Sequence, residues 1–349
     1  MFGKRKKQVV GCDVGSSAIK IVELKPLKND EFQLVHAAVA ELSPEAIVDG
    51  AIMDSSLVVE ALTGLISQNG IKNTKFGGSL SGHSVIIKKI QLPSMTEAEL
   101  AESIQWEAEQ YIPFDINDVN LDYVVLDSSA ADTMDVLLVA VKKDRINDYT
   151  SVIVQAGKEP VLIDVDVFSV QNAFEANYSS HGETVALVNV GASVMNINVL
   201  HDGSSVFWRD VAFGGNLYTE AIQREFNLPR EDAERLKLGE EVGQVSRQQV
   251  ESVLSAASED LAAELQKTID FFVATSSVDQ LDRVMLSGGG ALVSNLDSIL
   301  QERFQVNVEL LNPFRNIRYN ESDFDPEWIN NNAPAMTVAV GLAIRNVGD

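Results

Sequence analysis

Three glycine-rich turns carry the chemistry this sequence offers. The first is Asp13-Val14-Gly15-Ser16-Ser17, with Lys20 seven residues beyond Asp13. The second is Asn189-Val190-Gly191-Ala192-Ser193, and the third is Ser287-Gly288-Gly289-Gly290. A glycine directly after a strand lets successive backbone N–H groups point at one oxygen cluster. Such nests hold phosphate with few cations. Asp13, just before its turn, suits a hydrated Mg²⁺, and Lys20 can reach the same phosphates from the next strand. Each turn alone also reads as an ordinary hairpin. Two similar turns plus a triple-glycine turn after a third strand are far more specific.

The chain around these turns is acidic. Its 349 residues include 27 Lys and Arg against 51 Asp and Glu, a formal charge of −24. Such a surface repels phosphate backbones, so nucleic acid is not an expected partner. A phosphate ligand must therefore be held locally. Hydrophobic residues make up 45% and charged residues 22%, ordinary for a folded chain of about two domains. Cys12 stands alone, which excludes an intrachain disulfide and a multi-cysteine zinc site; it reads as a buried small hydrophobe. His36, His83, His181 and His201 are scattered and read as surface imidazoles. No apolar run of about 18 residues predicts a membrane span, and no secretory signal is visible, so a cytoplasmic location is expected. Lys4-Arg5-Lys6-Lys7 is a basic tip, readable as a solvated tail or as a contact to anionic lipid.

The elements that must position the turns follow from periodicity. Residues 8–24 and 184–200 each read as strand, tight turn, strand, a weak internal duplication. Strands are further expected at 32–41, 79–92, 121–127, 134–142, 161–166, 205–210 and 281–286. Helices are expected at 57–68, capped by Ser55 or Ser56, and at 144–156, 168–177, 217–226, 230–237, 293–303 and 335–345. Thr96-Glu97-Ala98-Glu99 is a capping box opening a helix with Ala101, Ile104, Ala108 and Tyr111 on one face and Pro113 at its end. A long 3.6-period stripe over 246–277 predicts a helix packed along one domain, with a coiled coil as the alternative.

The order of these pieces resembles the actin-like ATPase superfamily. The two hairpins look like its two phosphate loops, and Leu286 to Gly290 looks like its adenosine loop. Ala233-Glu234-Arg235-Leu236-Lys237 is similar to the segment that touches the ribose in bacterial relatives, and Val340-Gly341-Leu342-Ala343 to the last connector between lobes. Met1-Phe2-Gly3 before the basic tip, Gln91-Leu92-Pro93, Gln105 to Phe114 with its Glu-Gln-Tyr-Ile-Pro-Phe segment, Gly214-Gly215-Asn216 and Gly341 to Arg345 narrow the resemblance to the PilM family of type IV pilus assembly, over nearly the whole chain.

The resemblance implies an α/β, FtsA-like fold of two lobes, each built on a duplicated ribonuclease-H-like unit. Residues 1–78 would form the first lobe, 79–160 an inserted α+β subdomain, and 161–183 a connecting helix. Residues 184–332 would form the second lobe and 333–349 a helix returning to the first. It implies ATP and Mg²⁺ between the lobes. Phosphates would meet Asp13, Gly15, Ser16, Ser17, Lys20, Asn189, Gly191, Ala192, Ser193 and Gly215. Adenosine would meet Glu234, Lys237, Gly288, Gly289 and Gly290, with Mg²⁺ held near Asp13 through water. The implied partners are the cytoplasmic N-terminal peptide of a PilN-like inner-membrane protein and other pilus assembly proteins. The protein would be recruited to the cytoplasmic face of the inner membrane. Trp106, Tyr111 and Phe114 are either core of the inserted subdomain or part of the peptide groove.

One departure matters for turnover. The second phosphate loop of the superfamily begins with Asp, and here Asn189 stands there. An amide hydrogen-bonds but carries no charge for the metal shell and cannot act as a base. Asp166 matches the place of a water-orienting acid in some relatives, or is simply a helix N-cap. Nucleotide binding with slow or negligible hydrolysis is therefore expected. A filament-forming FtsA-like protein and a small-molecule kinase of the same superfamily are the competing readings.

Overall fold

The computed structural model describes residues 8–29, 31–126, 132–276 and 278–345. The basic tip at 4–7 lies outside them. β1 (Val10–Val14), β2 (Ala18–Pro26) and β3 (Phe32–Glu41) form an antiparallel meander. A short hairpin, β4 (Ile47–Val48) with β5 (Ala51–Ile52), leads to helix α1 (Ser55–Gln68). β6 (Lys75–Leu80) then pairs parallel to β1. The chain leaves this sheet for β7 (Val85–Pro93), α2 (Glu97–Glu109), β8 (Val119–Leu126) and β9 (Thr133–Lys142). It returns through α3 (Lys143–Gln155) to β10 (Glu159–Val165), parallel to β6, and enters α4 (Asp166–Asn177).

The second half repeats the plan. β11 (Thr184–Val190), β12 (Met195–His201) and β13 (Ser204–Val211) form a meander. Helices α5 (Gly215–Phe226), α6 (Arg230–Lys237) and α7 (Arg247–Thr275) follow, then β14 (Arg283–Ser287), α8 (Leu296–Phe304) and β15 (Asn307–Leu310). β14 pairs parallel to β11, and β15 to β14. The chain closes with β16 (Ile317–Arg318), α9 (Pro326–Asn332) and α10 (Thr337–Ile344). The two large sheets run β10-β6-β1-β2-β3-β16 and β13-β12-β11-β14-β15. Without β16, both are a three-strand meander extended by two parallel strands. The duplication legible at two hairpins thus extends over whole sheets. β11 is buried at every position, as a central strand with helices on both faces must be.

Sheet membership draws the inserted unit more tightly than the expected interval 79–160. β7, β9 and β8 form a separate three-stranded sheet under α2, with its own core of Ile90, Leu92, Leu100, Ile104 and Leu138. α3 instead packs Tyr149, Val152 and Ile153 into the core of the first large sheet, and β6 and β10 belong to that sheet. The chain also returns to the first lobe before residue 333. β16 pairs with β3, and Phe314, Ile317 and Ile329 pack with Val22 and Leu24.

Local signals decided the helix ends, with corrections. The Thr96–Glu99 capping box forms as expected. α1 is capped by Asp54 rather than Ser55 or Ser56, its carboxylate accepting from the N–H groups of Ser56 (2.9 Å) and Leu57 (3.3 Å). A charged acceptor suits the positive helix end better than a hydroxyl. α2 turns Leu100, Ile104 and Ala108 inward, followed by Ile112, so Ala101 and Tyr111 are not on its buried face. α7 packs Leu254, Leu261, Leu265 and Phe272 into the second-lobe core, a single packed helix rather than a coiled-coil strand. A 3₁₀ turn at 333–336 delays α10 relative to its expected start, and α8 begins at Leu296, after the left-handed Asn295, rather than at 293.

α4 and α10 cross where the lobes join. Val338 and Leu342 of α10 meet Val170 and Phe174 of α4 beneath Val185 and Leu187 of the second sheet. Ala339, Val340 and Ala343 meet Ala173 beneath Val22 and Leu24 of the first. Arg345, just past α10, donates to Asp164 at 2.8 Å, closing the C-terminal end onto β10.

Candidate functional site

The first hairpin places its two charges by register. Asp13 and Lys20 are cross-strand partners, so their side chains emerge side by side at the turn. Lys20 Nζ lies 3.1 Å from Asp13 Oδ2. The turn closes through the Gly15 N–H donating to the Ala18 carbonyl at 3.1 Å. The second hairpin repeats this geometry, with Asn189 opposite Asn196 and the Gly191 N–H donating to the Val194 carbonyl at 2.9 Å. The charge pair of the first half is thus an amide pair in the second. Asn189 donates to Asn196 at 2.9 Å and accepts from Ser287 at 3.2 Å.

The third turn locks against the second. Gly288 adopts φ +87°, a left-handed conformation that favours glycine. A Cβ there would strike the Val190 carbonyl. The N–H groups at the start of α5, Gly215 and Asn216, donate at 2.8 Å to the carbonyls of Gly191 and Ala192. Across the gap between the hairpins, the hydroxyls of Ser16 and Ser193 are 2.8 Å apart.

All three turns line one cleft between the two large sheets, with a cavity volume of about 320 Å³. Every residue expected at phosphates, adenosine or metal lies on this cleft: Asp13, Gly15, Ser16, Ser17, Lys20 and Asp166 from the first half, and Asn189, Gly191, Ala192, Ser193, Gly215, Glu234, Lys237 and Gly288 to Gly290 from the second. Lys237 is held by Glu234 at 2.6 Å and Thr219 at 3.0 Å, which fixes its ammonium beside the N-terminal turn of α5. Among the described residues, no group of three or more His, Cys, Asp or Glu is arranged to hold a metal ion. Asp13, paired with Lys20, suits an ion held chiefly by water and by a ligand's own oxygens.

Asp166 is not an N-cap. Val165 occupies that position, and Asp166 is the first residue of α4. Its carboxylate accepts from the Ser79 hydroxyl at 2.5 Å instead. Burial, with the neighbouring Asp13 charge adding to it, pushes its pKa up to about 6, against the opposing bonds from Ser79 and Ser81. The folded chain therefore binds a proton at Asp166 up to about pH 6, where an unfolded Asp releases it near pH 4. Stability from this group is present below about pH 4 and is lost as pH rises through about 6. Asp166→Asn is expected to stabilise the apoprotein at pH 7.5 by on the order of 1–3 kcal/mol, and much less at pH 4.5. Thermal melts at both pH values check this; equal shifts at the two would refute it.

Asp210 carries no motif signal, since in the sequence it stands only at the end of a returning strand. Its register partner is Asn196, whose amide donates to Asp210 Oδ1 at 2.8 Å. The Gly82 N–H donates to Asp210 Oδ2 at 2.5 Å. Burial raises its pKa, and both of these bonds oppose the rise. The second half therefore does carry a carboxylate at the cleft, one strand beyond Asn196. A chain Asn189–Asn196–Asp210 was detectable only through the strand register. Tyr149, from α3, also lines the cleft; burial and the charges of Asp166 and Asp13 keep it protonated. Cys12 is fully buried and its thiol is pushed up by burial, as a core residue's should be.

Trp106, Tyr111 and Phe114 lie on the inserted subdomain, apart from the cleft lining. Trp106 is 74% exposed and Tyr111 42%, so neither is subdomain core. Phe114 is partly buried against that core, with Lys142 Nζ 4.2 Å above its ring. No helix among the described residues is long and apolar enough to cross a membrane.

Comparison with known proteins gives a consistent set of matches. The sequence model of a family described as type IV pilus assembly protein PilM matches residues 11–347. A chain from the solved PilM–PilN type IV pilus biogenesis complex is 26% identical and superposes with a TM-score of 0.87, covering 98% of this chain and 99% of that one. Ethanolamine utilization protein EutJ from Carboxydothermus hydrogenoformans is similar at 14% identity and a TM-score of 0.59, over 96% and 89% of the two chains. MreB5 of Spiroplasma citri, bound to ADP, is similar at 12% identity and a TM-score of 0.52, over 96% and 94%.

Proposed function

Because the chain belongs to the PilM family of type IV pilus assembly proteins and has the actin-like ATPase fold, we propose that it is an ATP-binding scaffold that docks the cytoplasmic N-terminal peptide of a PilN-like inner-membrane protein. The observation that carries the nucleotide half is the convergence of three glycine turns on one cleft that also holds Lys20 and Lys237. Backbone N–H groups meet phosphate oxygens there, and the two cations offset charge that the −24 surface cannot. Adenosine lies toward Glu234, Lys237 and Gly288 to Gly290. Mg²⁺, when bound, neutralises phosphate charge beside Asp13 through water.

Turnover is slow in this reading. Asn189 is neutral, and its amide is committed to Asn196 and Ser287. Asp166 is engaged by Ser79. The likeness to the PilM–PilN complex supports the peptide half. Trp106 and Tyr111, exposed on and just after α2, are the aromatic area such a peptide would cover. Binding it would recruit the protein to the cytoplasmic face of the inner membrane alongside other pilus assembly proteins.

Fluorescence anisotropy with a labelled synthetic peptide of the partner's cytoplasmic tail tests this, with and without ATP. Binding is expected, weakened about tenfold or more by Trp106→Ala. No binding in either nucleotide state would remove the scaffold reading.

A further inference from the structure

Edge strands of two sheets meet beside the cleft. β13 ends the second large sheet, and β7 ends the inserted three-stranded sheet. Trp208 on β13 donates its indole N–H to the Ile87 carbonyl on β7 at 2.9 Å. Two residues along the same strand, Asp210 accepts the Gly82 N–H. Residues two apart on a strand project to the same side, so β13 presents both groups together. Gly82 begins the 3₁₀ turn that carries the chain out of the first lobe into the insertion. Both contacts therefore tie the second lobe to the insertion and its root, not to the body of the first large sheet.

We infer that Trp208 and Asp210 clasp the inserted subdomain to the second lobe, and that this clasp links closure of the cleft over a ligand to the position of the inserted subdomain. The link rests on the nucleotide reading of the cleft; the clasp itself does not. Gly82 and Asp210 line the cleft as well as forming the clasp. A second bridge, between the hydroxyls of Ser16 and Ser193, joins the two phosphate turns directly. A ligand entering between those turns must compete with that bond. The halves are joined by the packed α4–α10 crossing, so a change in lobe spacing about it bears on the contacts at the sheet edges. Both Asp210 oxygens are satisfied, one from Asn196 in its own lobe and one from Gly82 across the gap. Breaking the clasp leaves the Gly82 N–H to find water.

Spin labels on cysteines at Glu102 and Glu220 report the distance between the subdomain and the second lobe. Both positions are exposed, while Cys12 is buried and stays unlabelled. The wild-type background is compared with Trp208→Phe, which keeps an aromatic ring and loses the donor, and with Asp210→Ala. Without nucleotide, both variants are expected to show longer and broader distance distributions. Release of a fluorescent ATP analogue is expected to quicken about tenfold, the loss of roughly one hydrogen bond's preference for the closed state. Nucleotide-free distributions that superimpose on wild type would overturn the clasp, and variants whose label distance still follows nucleotide as wild type does would overturn the link. A wild-type chain that binds no analogue would overturn the nucleotide reading and the link, while the nucleotide-free distances still decide the clasp.

Discussion

Lys20→Ala is expected to weaken ATP binding by roughly 10- to 100-fold, the loss of one charge-assisted phosphate contact worth about 1.5–3 kcal/mol. The geometry makes Lys20 the first-lobe cation of the cleft. Its side chain is 15% exposed and is fixed by Asp13 opposite it in the hairpin. Lys237, on the other lobe, is held by Glu234 and Thr219 and cannot substitute for it. Removing Lys20 also leaves the Asp13 charge without its partner beside any phosphate, which adds repulsion. Titration calorimetry with ATP and Mg²⁺ measures the effect. Lys20→Arg, which keeps the charge, is expected to retain most of the affinity. Unchanged binding in Lys20→Ala would show that phosphates do not sit at the first turn.

Gly341→Ala tests the lobe junction. Alanine ordinarily favours a helix interior over glycine by about 1 kcal/mol. Here its Cβ would overlap the Ser169 carbonyl of α4, and backbone cannot step aside as a flexible side chain does. α10 is equally close on its other side, where a Cβ at Gly11 would overlap the Ala339 carbonyl. The helix is thus fixed between β1 and α4 with no free direction. A net destabilisation of about 3 kcal/mol is expected, seen as a lower urea midpoint at unchanged slope. A variant as stable as wild type would show that the crossing is more compliant than its packing indicates.

Much of the site was legible because its parts are local. Glycine turns, strand alternation and the Thr96–Glu99 box depend on residues a few positions apart, and each formed. Where local patterns misled, either a neighbouring residue took the position or a distant element took the side chain. Ser55 and Ser56 were passed over because Asp54 reached the same N–H groups first. Tyr111 left the inner face of α2 because Ile112 continues the four-residue spacing of Leu100, Ile104 and Ala108. Asp166 looked like a cap because it opens a helix, yet Ser79 on a parallel strand took its carboxylate.

By itself, the sequence determined that three glycine turns each follow a strand, and that the second turn lacks the charge of the first. Those are properties of residue type and short spacing, set before any long-range contact forms. The tertiary structure alone decided that Asp210 stands one strand beyond Asn196, that Gly82 reaches it from the other lobe, and that Asp166 is surrounded by protein beside Asp13. Strand register and lobe contact bring together residues far apart in the chain, 128 positions in the case of Gly82 and Asp210. The energy of those contacts lies in burial and in hydrogen bonds that have no counterpart along the chain.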